Sequence, residues 1–357
     1  MSTASTQTNT PVAAIVRVLV VDDSAYVRKM VTQMLSRSPF VEVVGTARDG
    51  LEALEMAEEL SPDVITCDLN MPAMGGVRFV QEQMARRAIP IVIMSIANRA
   101  GEEVLKALDA GAIDFVQKPT ALASERLLDV ADELLEKVKA AARASVRIVP
   151  AEATLAGPLQ PQRARVGAGA ADIVVIGIST GGPQGLKLVI PRLPADLPVP
   201  VAIVMHMPVG YTDLYARKLN ELCALEVVEA QEGQDVSAGT VLIAPAGRHL
   251  IFQRIDGRVV VRLELRPLDT PHRPAVDVLF QSAANVYGAR TLGVVLTGMG
   301  HDGRDGAAWI KAKGGRILTE AAESCVVYGM PRSVDEAGLS DSSVVLEQMA
   351  AAILERI

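Results

Sequence analysis

Aromatic residues make up only 3% of this 357-residue chain, so its buried volume must come mainly from Val, Leu, Ile, Ala and Met. Cysteine is scarcer still. Cys67, Cys223 and Cys325 are odd in number, far apart and outside any C-x-x-C pair. That argues against a disulfide framework or a thiolate zinc site, and makes a reducing cytoplasm the default. Basic charge is not in excess. The net charge of −7 argues against bulk nucleic-acid binding. No apolar run reaches the roughly 18 residues of a membrane span, and no direct membrane insertion is expected. The opening MSTASTQTNTP lacks the charged, apolar and cleavage regions of a signal peptide. Residues 1–15 are expected to be disordered. No internal repeat of solenoid length is visible. What the chain does have is 50% apolar and 22% charged residues, enough to bury two sizeable cores.

The periodic pattern stops between 141 and 170, where the text reads AARASVRIVPAEATLAGPLQPQRARVGAGA. Ala, Pro, Gly and Arg dominate it, with four arginines against the single acid Glu152. Residues 144–170 are read as a linker, spanning on the order of 30 Å if flexible. Its positive charge serves solubility or an acidic contact on another surface.

Residues 16–143 alternate strand-like and helix-like text. RVLVVDD, VEVVGTA, DVITCD, IPIVIMS and IDFVQK are apolar runs of strand length, separated by patterns such as YVRKMVTQMLSR and LEALEMAEEL. Five such units predict an α/β fold with a doubly wound, five-stranded parallel sheet. Ligands of such sheets sit beyond the carboxyl ends of the strands. Asp22 and Asp23 close the first strand, Asp68 the third, Ser95 the fourth and Lys118 the fifth. One such Asp is ordinarily a turn former or helix cap. Three carboxylates in one cleft repel each other, and a hard divalent cation with oxygen ligands relieves that repulsion, Mg²⁺ fitting best. An aspartate beside the cation can attack phosphorus to give an acyl phosphate. Lys118 would offset charge on the phosphoryl oxygens, and the Ser95 hydroxyl can bond one of them.

The segments LVVDDSAYVRKM, CDLNMPAMGG, IVIMS and GAIDFVQKP resemble the receiver domain of two-component response regulators, which is flavodoxin-like. The resemblance implies Asp68 as phosphoacceptor, Asp22 and Asp23 as the acidic Mg²⁺ pair, and the Asn70 backbone carbonyl as a further ligand. It also implies Ser95 as switch hydroxyl, Phe115 as the coupled aromatic, Lys118 as the phosphate-binding lysine, and a Lys118–Pro119 bond that is often cis. Gly75 departs from the pattern, at a loop position outside the chemistry.

After the linker, residues 171–357 open on DIVVIGISTGGPQGLKLVIPRL. DIVVIGI reads as a strand buried on both faces. Gly177-Ile178-Ser179-Thr180-Gly181 matches G-x-S-x-G, and Gly182-Pro183 leads into a helix. A serine at such a corner exposes its hydroxyl beside helix N-terminal amides that favour an oxyanion. The plainer reading is a glycine-rich turn that packs or binds phosphate. A nucleophilic serine needs an oriented base. The chain has four histidines. His206 follows the strand VPVAIVM, and Asp302 follows TLGVVL in LTGMGHDG. Strand-end placement favours Ser179, His206 and Asp302 as one constellation. The rival is an α/β-hydrolase order with His301 as base and an earlier acid such as Asp277. His249, opening a hairpin, and His272, in a Pro-rich loop, read as surface or core residues.

VVIGISTGGP, VMHMP, IAPAGRHL, RPAVDVLFQSAA, VVLTGMGHDGRDG and CVVYGMPRSV resemble the catalytic domain of the chemotaxis-type protein-glutamate methylesterase, the CheB family. A receiver fused upstream is that family's architecture. The expected C-terminal domain is α/β, with a mainly parallel sheet and a β-hairpin. The resemblance implies Ser179 as nucleophile, His206 as general base and acid, and Asp302 as its orienter. The Met299 N–H would donate to the oxyanion with help near Thr180, Gly298 and Gly300 allowing close backbone approach. It gives His301 a variable position. Glu320 stands where the family often has Gln, and Cys325 is a packing or turn residue.

The activity so implied is hydrolysis of glutamate γ-methyl esters on chemoreceptors, with release of methanol, and deamidation of receptor glutamines. Chemoreceptors are the implied substrate and a chemotaxis histidine kinase the phosphodonor. The enzyme would be cytoplasmic and recruited to receptor arrays through partners. Mg²⁺ belongs to the receiver, and the catalytic domain needs no metal. The unphosphorylated receiver is expected to pack over the serine site. Two other classes stay open: a phosphorylation-dependent interaction protein with a vestigial esterase site, and a DNA-binding output domain, which the negative charge disfavours.

Overall fold

The computed structural model describes residues 15–96, 101–118, 124–144 and 170–357. The N-terminal tail up to residue 14, all but the ends of the linker, and the Lys118–Pro119 bond lie outside the described residues.

The first sheet has five parallel strands: β1 (Val16–Val21), β2 (Val41–Ala47), β3 (Val64–Asp68), β4 (Ile91–Ile96) and β5 (Asp114–Lys118), in the order β2-β1-β3-β4-β5. Helices α1 (Ala25–Leu35) and α5 (Ser124–Ala141) cover one face. The other face carries α2 (Gly50–Leu60), α3 (Gly76–Arg86) and α4 (Gly101–Asp109). Along β1 the side chains alternate between the two cores, Val18 and Val20 toward α1, Leu19 and Val21 toward α2. A strand buried on both faces therefore reads as a continuous apolar run rather than an alternating one. Caps begin the helices locally. The Ser24 hydroxyl accepts from Val27 N–H ahead of α1, and the Asp49 carboxylate accepts from Leu51 and Glu52 N–H ahead of α2.

The second sheet has seven parallel strands: β6 (Ile173–Ile178), β7 (Val201–Met205), β8 (Glu226–Glu229), β9 (Thr240–Ile243), β12 (Thr291–Val295), β13 (Arg316–Glu320) and β14 (Ser342–Val344). Their order is β14-β13-β12-β6-β7-β9-β8. The antiparallel pair β10 (His249–Ile255) and β11 (Arg258–Glu264) forms the hairpin. Helices α6 (Gly182–Val189), α7 (Thr212–Asn220), α8 (Val276–Tyr287), α9 (Arg304–Ala312), α10 (Met330–Glu336) and α11 (Leu346–Leu354) complete the domain.

One apolar cluster crosses from the first domain into the second. Leu105, Leu108 and Phe115 share it with Leu186, Leu188 and Tyr211. The Phe115 and Tyr211 rings meet at 4.9 Å between centroids. The α4–β5 edge of the first sheet is thus docked on α6 and α7 of the second domain.

Glycine is required where α3 leaves β3. A Cβ on Gly76 would lie 2.2 Å from the Asp68 carbonyl oxygen and 2.8 Å from Leu69 Cα. Backbone on backbone cannot yield as a side chain would. Gly76→Ala is expected to destabilise the first domain by about 2 kcal/mol or more, read as a lower urea midpoint; an unchanged midpoint would contradict this packing.

Candidate functional site

Two clusters form at strand ends. In the first domain, β1 and β3 pair with Val21 opposite Cys67, so Asp22 and Asp68 emerge side by side where the strand order reverses. Asp22, Asp68, Ser95 and Lys118 are all buried, and Asp23 is exposed. The Lys118 ammonium donates to Asp22 Oδ2 at 2.6 Å and approaches Asp68 Oδ1 at 2.9 Å. Burial pushes the Asp22 carboxyl up, and Lys118 only partly reverses the push. Two buried acids against one lysine leave an excess of negative charge. Asp22, Asp23 and Asp68 can each bring one oxygen within 4.8 Å of the others, a donor set suited to a hard oxygen-seeking cation.

In the second domain three adjacent strands carry the parts. Ile178 pairs with Met205, and Gly177 with Val295, so β6, β7 and β12 end together. Ser179, His206 and the 297–302 loop leave from those ends. The Ser179 N–H donates to Thr297 O at 3.0 Å, and the His206 N–H to Ile178 O at 3.3 Å. Gly181 takes φ +80° and opens α6 directly after the serine. Gly298 lies flat against Ser179: a Cβ there would come 2.8 Å from Ser179 Cβ. Gly300 differs from expectation. No atom crowds it, and its φ of +81° is what demands glycine, through conformation rather than close approach.

His206 Nε2 and Asp302 Oδ2 lie 2.9 Å apart. Asp302 also accepts Val276 N–H at 2.8 Å and Asp277 N–H at 2.9 Å. Burial alone would raise this carboxyl, but His206 and the two amides outweigh it and hold it below the usual carboxylate range. The bond to Asp302 assigns the ring proton to Nε2 and leaves Nδ1 as the basic atom. Nδ1 is buried and makes no hydrogen bond. Ser179, Thr180, His206 and Met299 all line one cleft of about 920 Å³.

Asp277, the acid of the rival order, contacts no histidine. Its Oδ1 accepts from Gly303 and Gly306 N–H, while His301 is exposed. Two other histidines were not legible as parts of the site. His249 is fully buried; its Nδ1 accepts from Ala275 N–H and its Nε2 pairs with Pro267 O, clipping together the ends of the 267–275 loop. That loop sets the His272 ring on His206, with centroids 4.0 Å apart and planes inclined by 24°. His272 is exposed on its outer side, and the stacked His206 ring covers one of its faces. Nothing in the local sequence signals the stacking, because residues 206 and 272 belong to separate elements.

The first domain closes one wall of this cleft. Gln117, Asp129, Glu133 and Lys137 line it together with Ser179. The Thr180 hydroxyl donates to Asp114 Oδ2 at 2.6 Å, and Lys137 Nζ donates to Asp114 Oδ1 at 3.0 Å. Gln184 Nε2 donates to Leu108 O at 2.5 Å, and Lys187 pairs with Asp109.

Behind the Ser179 corner, Glu320 is fully buried. Its Oε2 accepts from Thr297 N–H at 2.8 Å and its Oε1 from the Ser324 hydroxyl at 3.0 Å. The Thr297 hydroxyl in turn donates to Thr180 O. Cys325 is buried beside Glu320 as a packing residue.

Family models match both parts of the chain: response regulator receiver domain over residues 18–131, and CheB methylesterase over residues 174–353. The protein-glutamate methylesterase/protein-glutamine glutaminase 5 of Myxococcus xanthus is 48% identical over 343 residues, covering 96% of this chain and 98% of that one. The corresponding protein of Symbiobacterium thermophilum is 45% identical, covering 96% and 97%. The crystal structure of the Thermotoga maritima CheB methylesterase catalytic domain superposes with a TM-score of 0.52 at 41% identity, over 53% of this chain and all of that one.

Burial raises the Glu320 carboxyl from 4.5 to about 7, against its two hydrogen bonds. A folded value above the unfolded one favours the protonated acid in the fold. That stabilisation is complete below about pH 4.5 and is lost as pH rises toward about 7. Glu320→Gln keeps the volume without the ionisation. It is expected to raise Tm by roughly 3 °C or more at pH 8 and to leave it unchanged at about pH 4. Equal shifts at both pH values would contradict the titration.

Proposed function

The chain belongs to the CheB methylesterase family, in the form that carries an upstream response regulator receiver domain, and is a hydrolase; on that premise we propose that it hydrolyses glutamate γ-methyl esters on methyl-accepting chemoreceptors and deamidates receptor glutamines to glutamate. The observation that carries the reading is the His206–Asp302 bond at a strand end adjoining Ser179.

The steps follow from the atoms. The Ser179 Oγ–H gives its proton to His206 Nδ1 as Oγ attacks the γ-carbonyl carbon. The oxyanion forms against the Met299 N–H, with the Thr180 turn beside it. Protonated His206, stabilised by Asp302, returns the proton to the departing methoxide, and methanol leaves. His206 then takes a proton from water, which attacks the acyl-enzyme, and the second collapse frees the glutamate carboxylate and restores Ser179. An amide substrate differs only in losing ammonia.

The receiver sets when this happens. Asp68 is the phosphoacceptor, Lys118 meets the phosphoryl oxygens, and a chemotaxis histidine kinase is the donor. Mg²⁺, held by Asp22, Asp23, Asp68 and the Asn70 carbonyl, would supply charge neutralisation there. Without phosphate, the first domain walls the serine cleft and excludes a receptor helix. Ser95 and Phe115 answer phosphorylation at Asp68. Phe115 is already engaged with Tyr211, which supports a path from phosphoacceptor to interface. Moving the pair from mostly closed to mostly open needs roughly 3–5 kcal/mol of differential free energy. Among the described residues no helix is long and apolar enough to cross a membrane; a cytoplasmic enzyme brought to receptor arrays by its partners fits the reading.

Methanol release from methylated receptors tests the activity. Wild type with Mg²⁺ and a small phosphodonor is expected to release methanol. Ser179→Ala and His206→Ala are expected to lose at least about 10³-fold. Full activity in Ser179→Ala would refute the mechanism.

Closure is tested at the rim. Asp109 is half exposed, so its contacts with Gln184 and Lys187 are screened and worth about 0.5–1 kcal/mol. Asp109→Ala is expected to raise activity without phosphodonor by roughly two- to fivefold and to leave phosphorylated activity unchanged. Lower activity without phosphodonor would contradict closure.

A further inference from the structure

Helices α8 and α9 begin without caps of their own. Their N-cap residues are Ala275 and Gly303, and neither supplies a side-chain bond. Each helix instead takes its cap from the other. Asp302, just before α9, accepts the first two N–H groups of α8, from Val276 and Asp277. Asp277, in the first turn of α8, accepts the N–H groups of Gly303 and Gly306 at the start of α9, at 2.9 and 2.6 Å. The exchange is tight. A Cβ on Gly306 would sit 2.9 Å from Asp277 Cα, and Gly303 holds φ +99°.

Asp302 thereby has both oxygens fixed by backbone amides, and Oδ2 accepts one further bond, from His206 Nε2–H. The segment that carries Asp302 is in turn pinned by Asp277. We infer that Asp277 is a positioning residue: by capping α9 it sets where Asp302 stands, and through Asp302 it sets the orientation of the His206 ring. The inference rests on the serine-hydrolase reading above for its consequence in catalysis.

Helix packing alone does not require this pair of acids. Asp277 is half-buried beside the buried Asp302, so the two carboxylates repel each other, and desolvation with the Asp302 charge pushes the Asp277 carboxyl up. That repulsion is offset by the two amide hydrogen bonds that Asp277 accepts. The amides at its Oδ1 belong to the residue directly after Asp302 and to the turn that follows.

The full-length chain tests this with Asp277→Ala and Asp277→Asn. Both amides go to the same oxygen, so Asn can keep both bonds and Ala neither. Methanol release gives kcat and KM. Proton NMR follows the downfield resonance of His206 Nε2–H, assigned by its loss in His206→Ala. Asp277→Ala is expected to lower kcat on the order of 10- to 100-fold with KM held within about twofold, and to weaken or broaden the His206 proton. Asp277→Asn is expected to restore kcat to within a few-fold and to keep the resonance. A folded Asp277→Ala with wild-type kcat and an intact resonance overturns the inference. So does an Asp277→Asn that is well folded yet loses the resonance, and this arm decides if the alanine variant does not fold. A wild type that releases no methanol but shows the predicted NMR pattern would count against the substrate and leave the positioning role standing.

Discussion

A buried carboxylate must be met by donors, and how Asp302 is met organises the catalytic domain. Its charge lies in a region where an unpaired ion would cost several kcal/mol. Two amides at the start of α8 and one imidazole N–H supply the compensation. The consequence for chemistry is direct. With Nε2–H spent on Asp302, the proposed mechanism has Nδ1 as the base, and the parallel register puts that ring one strand away from the serine. In the same mechanism this bond would stabilise the imidazolium formed as the serine is deprotonated. Asp302 thus fixes tautomer, orientation and charge through one set of contacts.

The serine corner is held from the other side by a different logic. Thr180 is the residue after the nucleophile, and its two polar ends answer to different domains. Its carbonyl accepts from Thr297, which Glu320 anchors; its hydroxyl donates to Asp114 of the first domain. Asp114 lies beside Phe115 on the strand that ends at Lys118, and Lys118 bridges Asp22 and Asp68. The path from Asp68 to Ser179 is therefore short. It runs along one strand, through one aromatic contact and one charged hydrogen bond.

Much of this was legible in the text of the chain. Parallel strands buried on both faces announce themselves as unbroken apolar runs, and polar residues at their carboxyl ends stand out against them. Asp22, Asp68 and Lys118, and likewise Ser179 and His206, were found that way. What could not be read are pairings between elements with no shared periodicity. His272 meets His206 only because His249 clips a distant loop, and Asp277 and Asp302 exchange caps across 25 residues. An acid at the first turn of a helix looks like an ordinary favourable charge; that it serves the neighbouring helix depends on the crossing of α8 and α9. Gly300 stands two residues from the crowded Gly298, but within the chain its backbone angle is what singles it out.

The measurement closest to the centre of this account is covalent labelling of the full-length chain with a fluorophosphonate, followed by peptide mass spectrometry. The phosphonyl group should be found on Ser179 alone, and labelling should be abolished by His206→Ala and strongly slowed by Asp302→Ala. A label on another residue, or a labelling rate that the loss of His206 leaves untouched, would contradict the claim that Asp302 and His206 together make Ser179 a nucleophile.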